Sequence, residues 1–231
     1  MTLAEKIVSL RQRTLTELRD AHDYYANTKA AWEYIVDDIN AGGGLTIRND
    51  LTGSNTGSAE LAKKADGYVK VELAEATFQQ FIAIFESFLF DFLRIWLAAY
   101  PQNLFGRKVD FRDIYESQNI EAVTLLFVNK ELNELLYDRP VKWFEYIEDK
   151  MKLDCPSAGE IAIFAEAKAT RDVLVHNCGD VGKTYAGKAG RLARYEIGEQ
   201  VEIMEPYHRQ IWSLLCKIAD DMGEAALVKT A

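Results

Sequence analysis

The segment from about Ala59 to Tyr100 constrains the fold more than any other part of the chain. Its second half consists mostly of Phe, Leu, Ile and Trp. When successive residues are placed 100° apart, the polar and small side chains of that half fall in one sector of about 140°. The sector contains Gln79, Gln80, Ala83, Glu86, Ser87, Asp91, Arg94 and Ala98. So broad an apolar face predicts the central helix of a bundle, and Pro101 ends the pattern.

The apolar run from Phe81 to Ala99 is long enough to suggest a membrane span, but it carries Glu86, Asp91 and Arg94. These charges favour a buried helix of a soluble protein. The first twenty residues are amphipathic and charged, which is not typical of a signal peptide. The three cysteines are widely spaced and predict free thiols in a reducing compartment. We therefore expect a cytoplasmic protein without membrane contact.

The rest of the chain also has helical periodicity. Ser157 and Glu160 form a capping box, which predicts a helix that runs to about His176. The other predicted segments are helices over 3–39, around 110–136 and 139–150, and from 205 to about 227, a glycine-rich loop over 179–190, and an extended piece over 195–203. The fold class is therefore all-α, an antiparallel helical bundle. We divide it into an N-terminal helical arm (1–39), a Gly- and Ser-rich linker loop (40–58) and the main bundle (59–231).

Composition and motifs exclude several classes of function. The chain is 48% hydrophobic, which favours a folded core over disorder. It has no glycine-rich phosphate loop, no GxSxG and no paired His or Cys at metal-ligand spacing. We therefore expect no metal and no cofactor. Of the three histidines, His22 is predicted to have a surface or packing role and His208 a structural one.

The charge is unevenly distributed. The formal net charge of −9 argues against a protein that coats nucleic acid by bulk electrostatics. Between Phe164 and Tyr195, however, six basic residues face three acidic ones, so this segment carries +3 and the rest of the chain −12. The cluster is either a solvated surface that arose by chance or the one region where a phosphate is favoured.

Arg171 and His176 stand out within this basic segment. Arg171 falls in the middle of the apolar face of its predicted helix, where a guanidinium must be paired or must face a cleft or interface. His176 lies about 140° around the same helix, at its last turn. The two side chains can therefore converge only across a second copy of the chain. The alternative is that Arg171 is structural and bridges to Glu86 on the long helix.

The run ATRDVLVHNCGDVGKTY and the preceding long apolar helix resemble HEPN-domain proteins. In that family a bundle helix ends in Arg, a polar residue, apolar-leaning positions and His, often followed by an HN-x-G-x-V pattern and a Tyr. The matching positions here are Arg171, Asp172, His176, Asn177, Gly179, Val181 and Tyr185. The resemblance covers about residues 60–225. HEPN toxins that a nucleotidyltransferase partner neutralises have a Tyr two residues after the His, where this chain has Cys178.

The resemblance implies a metal-independent endoribonuclease, a toxin or defence effector, that acts as a homodimer with a composite Arg and His site. It implies that Arg171 holds the phosphate and that His176 is the general acid or base, while Asp172 and Asn177 support them. The basic residues expected to bind RNA are Lys168, Lys183, Lys188 and Arg191. The product would carry a 2′,3′-cyclic phosphate, and an antitoxin or regulatory protein is a possible further partner.

Two other classes of function stay open at this stage. The first is a non-catalytic HEPN-like module that dimerises or binds a partner. The second is a bundle that binds a small molecule, for which the aromatic-rich core is the only support.

Overall fold

The computed structural model describes residues 1–106, 108, 111–117 and 119–230. Almost all regular structure in them is helical, which confirms the all-α class. The helices are α1 (Leu3–Asn40), α2 (Ser58–Gly67), α3 (Ala74–Ala99), α4 (Phe111–Glu116), α5 (Ile120–Leu136), α6 (Pro140–Met151), α7 (Ala158–Asn177), α8 (Lys183–Ala189) and α9 (Glu205–Thr230). Short 3₁₀ turns cover Pro101–Leu104 and Gly190–Leu192. Strands β1 (Thr46–Arg48) and β2 (Asn55–Gly57) form an antiparallel hairpin within the predicted linker.

The central helix forms as its apolar pattern predicts. One turn of π-helix, Tyr68–Leu73, joins α2 to α3, and the backbone stays helical through Gly67, Tyr68 and Ala74. The buried side chains of α3 include five phenylalanines, which pack in the main core. None of the eight residues of the predicted polar sector is buried. The prediction of a central bundle helix with one open sector is therefore confirmed.

The first helix corrects the expected division of the chain. Thr2 and Glu5 form a capping box at its start, and its first half packs against α3 and α9. Ile7, Leu18 and Tyr25 lie in the same core as the rest of the bundle. This half is therefore part of the bundle and not a separate arm. Beyond Tyr25, α1 contributes no buried residue.

The second half of α1 lies beside α2 and the π turn. The rings of Trp32 and Tyr68 are 5.4 Å apart between centroids. The sequence could not distinguish the two halves because apolar residues have the same spacing in both.

The capping box that begins α7 is confirmed. The Ser157 Oγ accepts from the Glu160 amide at 3.4 Å, and the Glu160 carboxylate accepts from the Ser157 amide at 2.8 Å. Cys178 ends the helix in the left-handed region, with φ of 51°, and Gly179 continues there. The predicted glycine-rich loop is wrong in part, since α8 occupies Lys183–Ala189.

Two other predicted segments differ from the structure in detail. The helix expected around 110–136 is two helices, α4 and α5. Asp110 and Gln118 of that segment, and Ala231 of the predicted bundle, lie outside the described residues. The extended piece expected over 195–203 makes a single bridge, Gln200 to Asp180. None of the helices in the described part of the chain combines the length and apolar character needed to cross a membrane.

Candidate functional site

The candidate site lies where α7 crosses α3. Lys168 and Arg171 are three residues apart on α7, so they project from the same side of the helix. Both reach Glu86 on α3. The Lys168 Nζ lies 3.2 Å from its carboxylate, and the Arg171 Nη2 donates to its other oxygen. The bridge from Arg171 to Glu86, which the sequence left open as one alternative, is therefore present.

Asp172 is the second carboxylate of the site and binds three cations. Its oxygens accept from Arg171 Nη1 at 3.1 Å, from Lys168 Nζ at 3.3 Å and from Lys188 Nζ at 2.9 Å. Burial alone would raise the pKa of Asp172. The hydrogen bond from Lys188 and the positive charge of Lys168 outweigh it and hold this pKa below its usual range.

We call this group the cationic cluster. Its members are Lys168, Arg171, Lys188, Glu86 and Asp172. Three positive charges face two negative ones, so one positive charge stays uncompensated. The side chains are only 15–19% exposed except that of Lys188, which is 41% exposed. Lys168 also lies over the ring of Trp143, 5.5 Å from its centroid, a contact that the sequence did not reveal.

His176 is exposed at the last turn of α7. It has no hydrogen-bond or ion-pair partner within the described part of the chain. Five residues of helix separate it from Arg171, which is about 7.5 Å along the axis and 140° around it. Within one chain the two side chains therefore diverge, as expected. The next residue, Asn177, donates from Nδ2 to the Asp180 carbonyl at 3.4 Å and helps to close the helix end.

The remaining predicted RNA-binding residues lie beyond α7. Lys183 begins α8 and Arg191 lies in the 3₁₀ turn that follows it, and both are exposed. Neither forms an ion pair with any described residue. By contrast, Lys168 and Lys188 already bind carboxylates in the cationic cluster.

A buried carboxylate that sequence reasoning missed holds this region against the bundle. Glu166 accepts from Thr170 Oγ1 at 2.8 Å, Tyr185 OH at 3.0 Å, Tyr207 OH at 2.6 Å and Arg194 Nε at 3.1 Å. We call these residues the Glu166 network. The Arg194 guanidinium stacks on the Tyr207 ring, 3.3 Å from its centroid. The only signal in the sequence is a glutamate between apolar neighbours, Phe164–Ala167.

The open sector of α3 borders the cationic cluster. Gln80, Ala83 and Ser87 are exposed along the middle of this helix. Glu86, which binds Arg171 of α7, lies on one side of these three residues. Asp91 lies on the other side, and its carboxylate accepts a hydrogen bond from Arg13 of α1 at 2.8 Å. We call the three exposed residues the open strip. Its residues lie on the face of α3 between Glu86 and Asp91.

The other titratable candidates are structural. His208 is fully buried, its Nε2 lies 2.8 Å from Thr77 Oγ1, and burial together with the nearby His22 lowers its pKa to about 4. His22 stacks on Trp212 with 4.2 Å between ring centroids. Among the described residues, no group of His, Cys, Asp and Glu could hold a metal ion.

Comparison with known proteins yields no match for this chain among protein-family models, curated proteins or solved structures.

Proposed function

We propose that this chain is a metal-independent endoribonuclease, a toxin or defence effector of the HEPN type. The observation that carries the proposal is the cationic cluster, which holds one uncompensated positive charge at a partly open rim of the bundle. An exposed imidazole, His176, lies at the end of the same helix. Phosphate recognition and proton transfer, the two functions that RNA cleavage requires, are therefore both available on α7.

The chemistry needs no metal-bound water. RNA carries its own nucleophile, the 2′-hydroxyl. A base removes its proton, the 2′ oxygen bonds to the adjacent phosphorus, and the bond to the 5′ oxygen breaks. The products are a 2′,3′-cyclic phosphate and a 5′-hydroxyl, the latter after an acid returns a proton. Imidazole can fill either role near neutral pH, and we assign it to His176.

We assign binding of the RNA phosphate to Arg171. Its planar guanidinium donates in two directions, here to Glu86 and Asp172, and a phosphate accepts the same pattern of hydrogen bonds. Lys188 is the most exposed cation of the cluster, so RNA would first meet Asp172 and Lys188. A phosphate oxygen would then replace a carboxylate oxygen as the acceptor of a hydrogen bond from Arg171, so that Arg171 binds the substrate.

The site also requires a second copy of the chain, because Arg171 and His176 diverge within one. The open strip beside α7 favours such a contact. Ala83 and Ser87 are small, which lets another helix approach α3 closely. Val175, next to His176, is 48% exposed and extends the apolar part of this face. A two-fold axis here would bring the end of one α7 toward the cationic cluster of the other.

The test is cleavage of total RNA in excess EDTA by the purified chain. We expect cleavage with 2′,3′-cyclic phosphate ends, and a loss of about 100-fold or more in His176→Ala and Arg171→Ala. Arg209→Ala is the matched control, since Arg209 is exposed and pairs only with Glu205 among the described residues. Cleavage that survives both substitutions would exclude this site. Light scattering on the same samples measures the mass, and a strict monomer would exclude the composite site.

A specific observation favours a second candidate, a non-catalytic HEPN-like module for dimerisation or partner binding. Glu86 and Asp172 of the same chain each accept a hydrogen bond from the Arg171 guanidinium. If the chain is such a non-catalytic module, it cleaves no class of RNA. The double variant Arg171→Met with Glu86→Leu then keeps or gains stability, because apolar replacement of a part-buried pair is often neutral or stabilising.

A further inference from the structure

A large cavity lies on the side of the bundle where the second half of α1 leaves the core. It measures about 750 Å³ and opens between α1, the α2 helix with its π turn, and the segment that leads into α9. The α1 side chains that line it follow one helix face: Tyr25, Lys29, Trp32, Glu33, Val36 and Asp37. The residues of the proposed ribonuclease site do not contribute to it. A volume of this size suits a small organic molecule.

The small side chains of the opposite wall explain why the cavity exists. α2 presents Ala62 and Ala65 toward α1, and the π turn presents Val69. Of the apolar residues in this half of α1, Trp32 and Val36 line the cavity.

The charges around the cavity are unequal. Lys29 is matched by Glu205, with 2.5 Å between Nζ and the carboxylate, and Lys70 by Asp66 at 2.8 Å. Two further carboxylates, those of Glu33 and Asp37, have no cation within such a short distance. Glu33 lies 3.7 Å from the already paired Lys29. The Asp37 side chain has no ion pair or hydrogen bond among the described residues. The lining therefore carries a net charge of −2.

Two aromatic rings line the same cavity as these acidic groups. They belong to Trp32 and Tyr25. The face of an aromatic ring attracts a cation, and a neighbouring carboxylate adds direct charge attraction. Neutral or anionic ligands gain nothing from this combination.

We propose that the cavity binds a small organic cation, an ammonium group attached to an apolar or aromatic body. The ammonium lies beside Glu33 and Asp37, and the Trp32 ring lies against the apolar body. The apolar body lies on Ala62, Ala65 and Val69. This proposal is independent of the ribonuclease, because it uses none of the residues of that site.

The test is titration of the full chain with tryptamine, followed by the indole N–H signals of the ¹⁵N-labelled protein. We expect saturable binding with a Kd below about 1 mM, with the Trp32 signal shifting and those of Trp96 and Trp143 unchanged. Trp32→Phe assigns the signal. Indole-3-propionate, which replaces the ammonium by a carboxylate, should not saturate the site.

Variants separate the charge argument from simple apolar binding. Asp37→Asn should weaken tryptamine binding at least about threefold, since a partly exposed charge pair is modest in water. Asp38→Asn, the neighbouring acid outside the cavity lining, should leave it unchanged. Ala62→Phe should abolish binding by filling the cavity, with circular dichroism as the check on folding.

Three results would overturn the proposal. These are no saturation by tryptamine, equal binding of the carboxylate analogue, and unchanged affinity in a folded Ala62→Phe variant. None of them bears on RNA cleavage, which is measured separately.

Discussion

Two charged groups on α7 differ in their burial and in their charge balance. In the Glu166 network one carboxylate, only 3% exposed, accepts four hydrogen bonds, and one arginine balances its charge. In the cationic cluster, a turn further along the helix, three cations share two carboxylates at the rim of the bundle. The first group is closed and balanced. The second is partly open and retains a positive charge.

The difference defines what each group can do. A buried carboxylate with all its partners in place gains nothing from an external ligand, and loss of any partner leaves a buried polar group unsatisfied. A partly exposed cluster with excess positive charge can exchange a carboxylate for another anion. The Glu166 network therefore anchors the segment after α7, while the cationic cluster is where we propose that a phosphate binds.

The largest effect on stability should come from Glu166. Glu166→Ala leaves the Tyr185 and Tyr207 hydroxyls and the Arg194 guanidinium without their acceptor. We expect a loss of about 3–5 kcal/mol in the free energy of unfolding. Glu86→Ala, the corresponding change in the cationic cluster, should lose only about 1 kcal/mol, because Asp172 still binds the same cations. Urea unfolding of both variants measures the two values.

Equal losses in the two variants would contradict the distinction between the groups. Glu166→Gln is the useful intermediate, since the amide oxygen can still accept from one tyrosine. Its stability should fall between those of the native chain and Glu166→Ala.

The second prediction concerns binding of RNA. Glu86→Gln removes a negative charge from the cationic cluster, so its excess positive charge rises by one. In a His176→Ala background, which prevents cleavage, we expect single-stranded RNA to bind about fivefold more tightly at low salt. Fluorescence anisotropy with a labelled RNA measures the affinity, and the gain should diminish as salt is added.

Asp91→Asn is the matched control for that experiment. It removes the same charge from the same helix, on the side of α1. Equal gains in the two variants would mean that net charge, and not the cationic cluster, determines binding. If Glu86→Gln instead lowers the affinity relative to His176→Ala alone, Glu86 is needed to position Arg171.

The central helix and the start of α7 could be predicted from the sequence because both depend on local patterns. The open sector of α3 follows from helix periodicity alone, and the α7 capping box needs only Ser157 and Glu160. For Arg171, on an apolar face, the same reasoning left two alternatives, a shared cleft or interface and a pair with Glu86, and the pair with Glu86 is present.

Other features depend on contacts that no local pattern reveals. The two halves of α1 have the same spacing, yet only Leu3–Tyr25 meets α3 and α9 in the core. Besides Thr170 on α7 itself, the partners of Glu166 come from three further segments, so Tyr207 and Arg194 could not be assigned to it. The glycines over 179–190 predicted a loop, but burial of Tyr185 and Ala189 favours the short helix α8.

The smallest expected effect concerns the acid stability of the cationic cluster. The lowered pKa of Asp172 means that its charged form stabilises the folded chain. This contribution is fully present above the pKa of an unfolded aspartate, about 4, and is lost as the pH falls through the lower folded value. Asp172→Asn should therefore lower Tm at pH 7 and lower it less at pH 3. Asp138→Asn, at an exposed residue outside the cluster, should leave the dependence of Tm on pH unchanged. If the Tm of Asp172→Asn and that of the native chain instead change in parallel with pH, the prediction is contradicted. The three cations would then stabilise the Asp172 carboxylate no more in the folded chain than water does in the unfolded one.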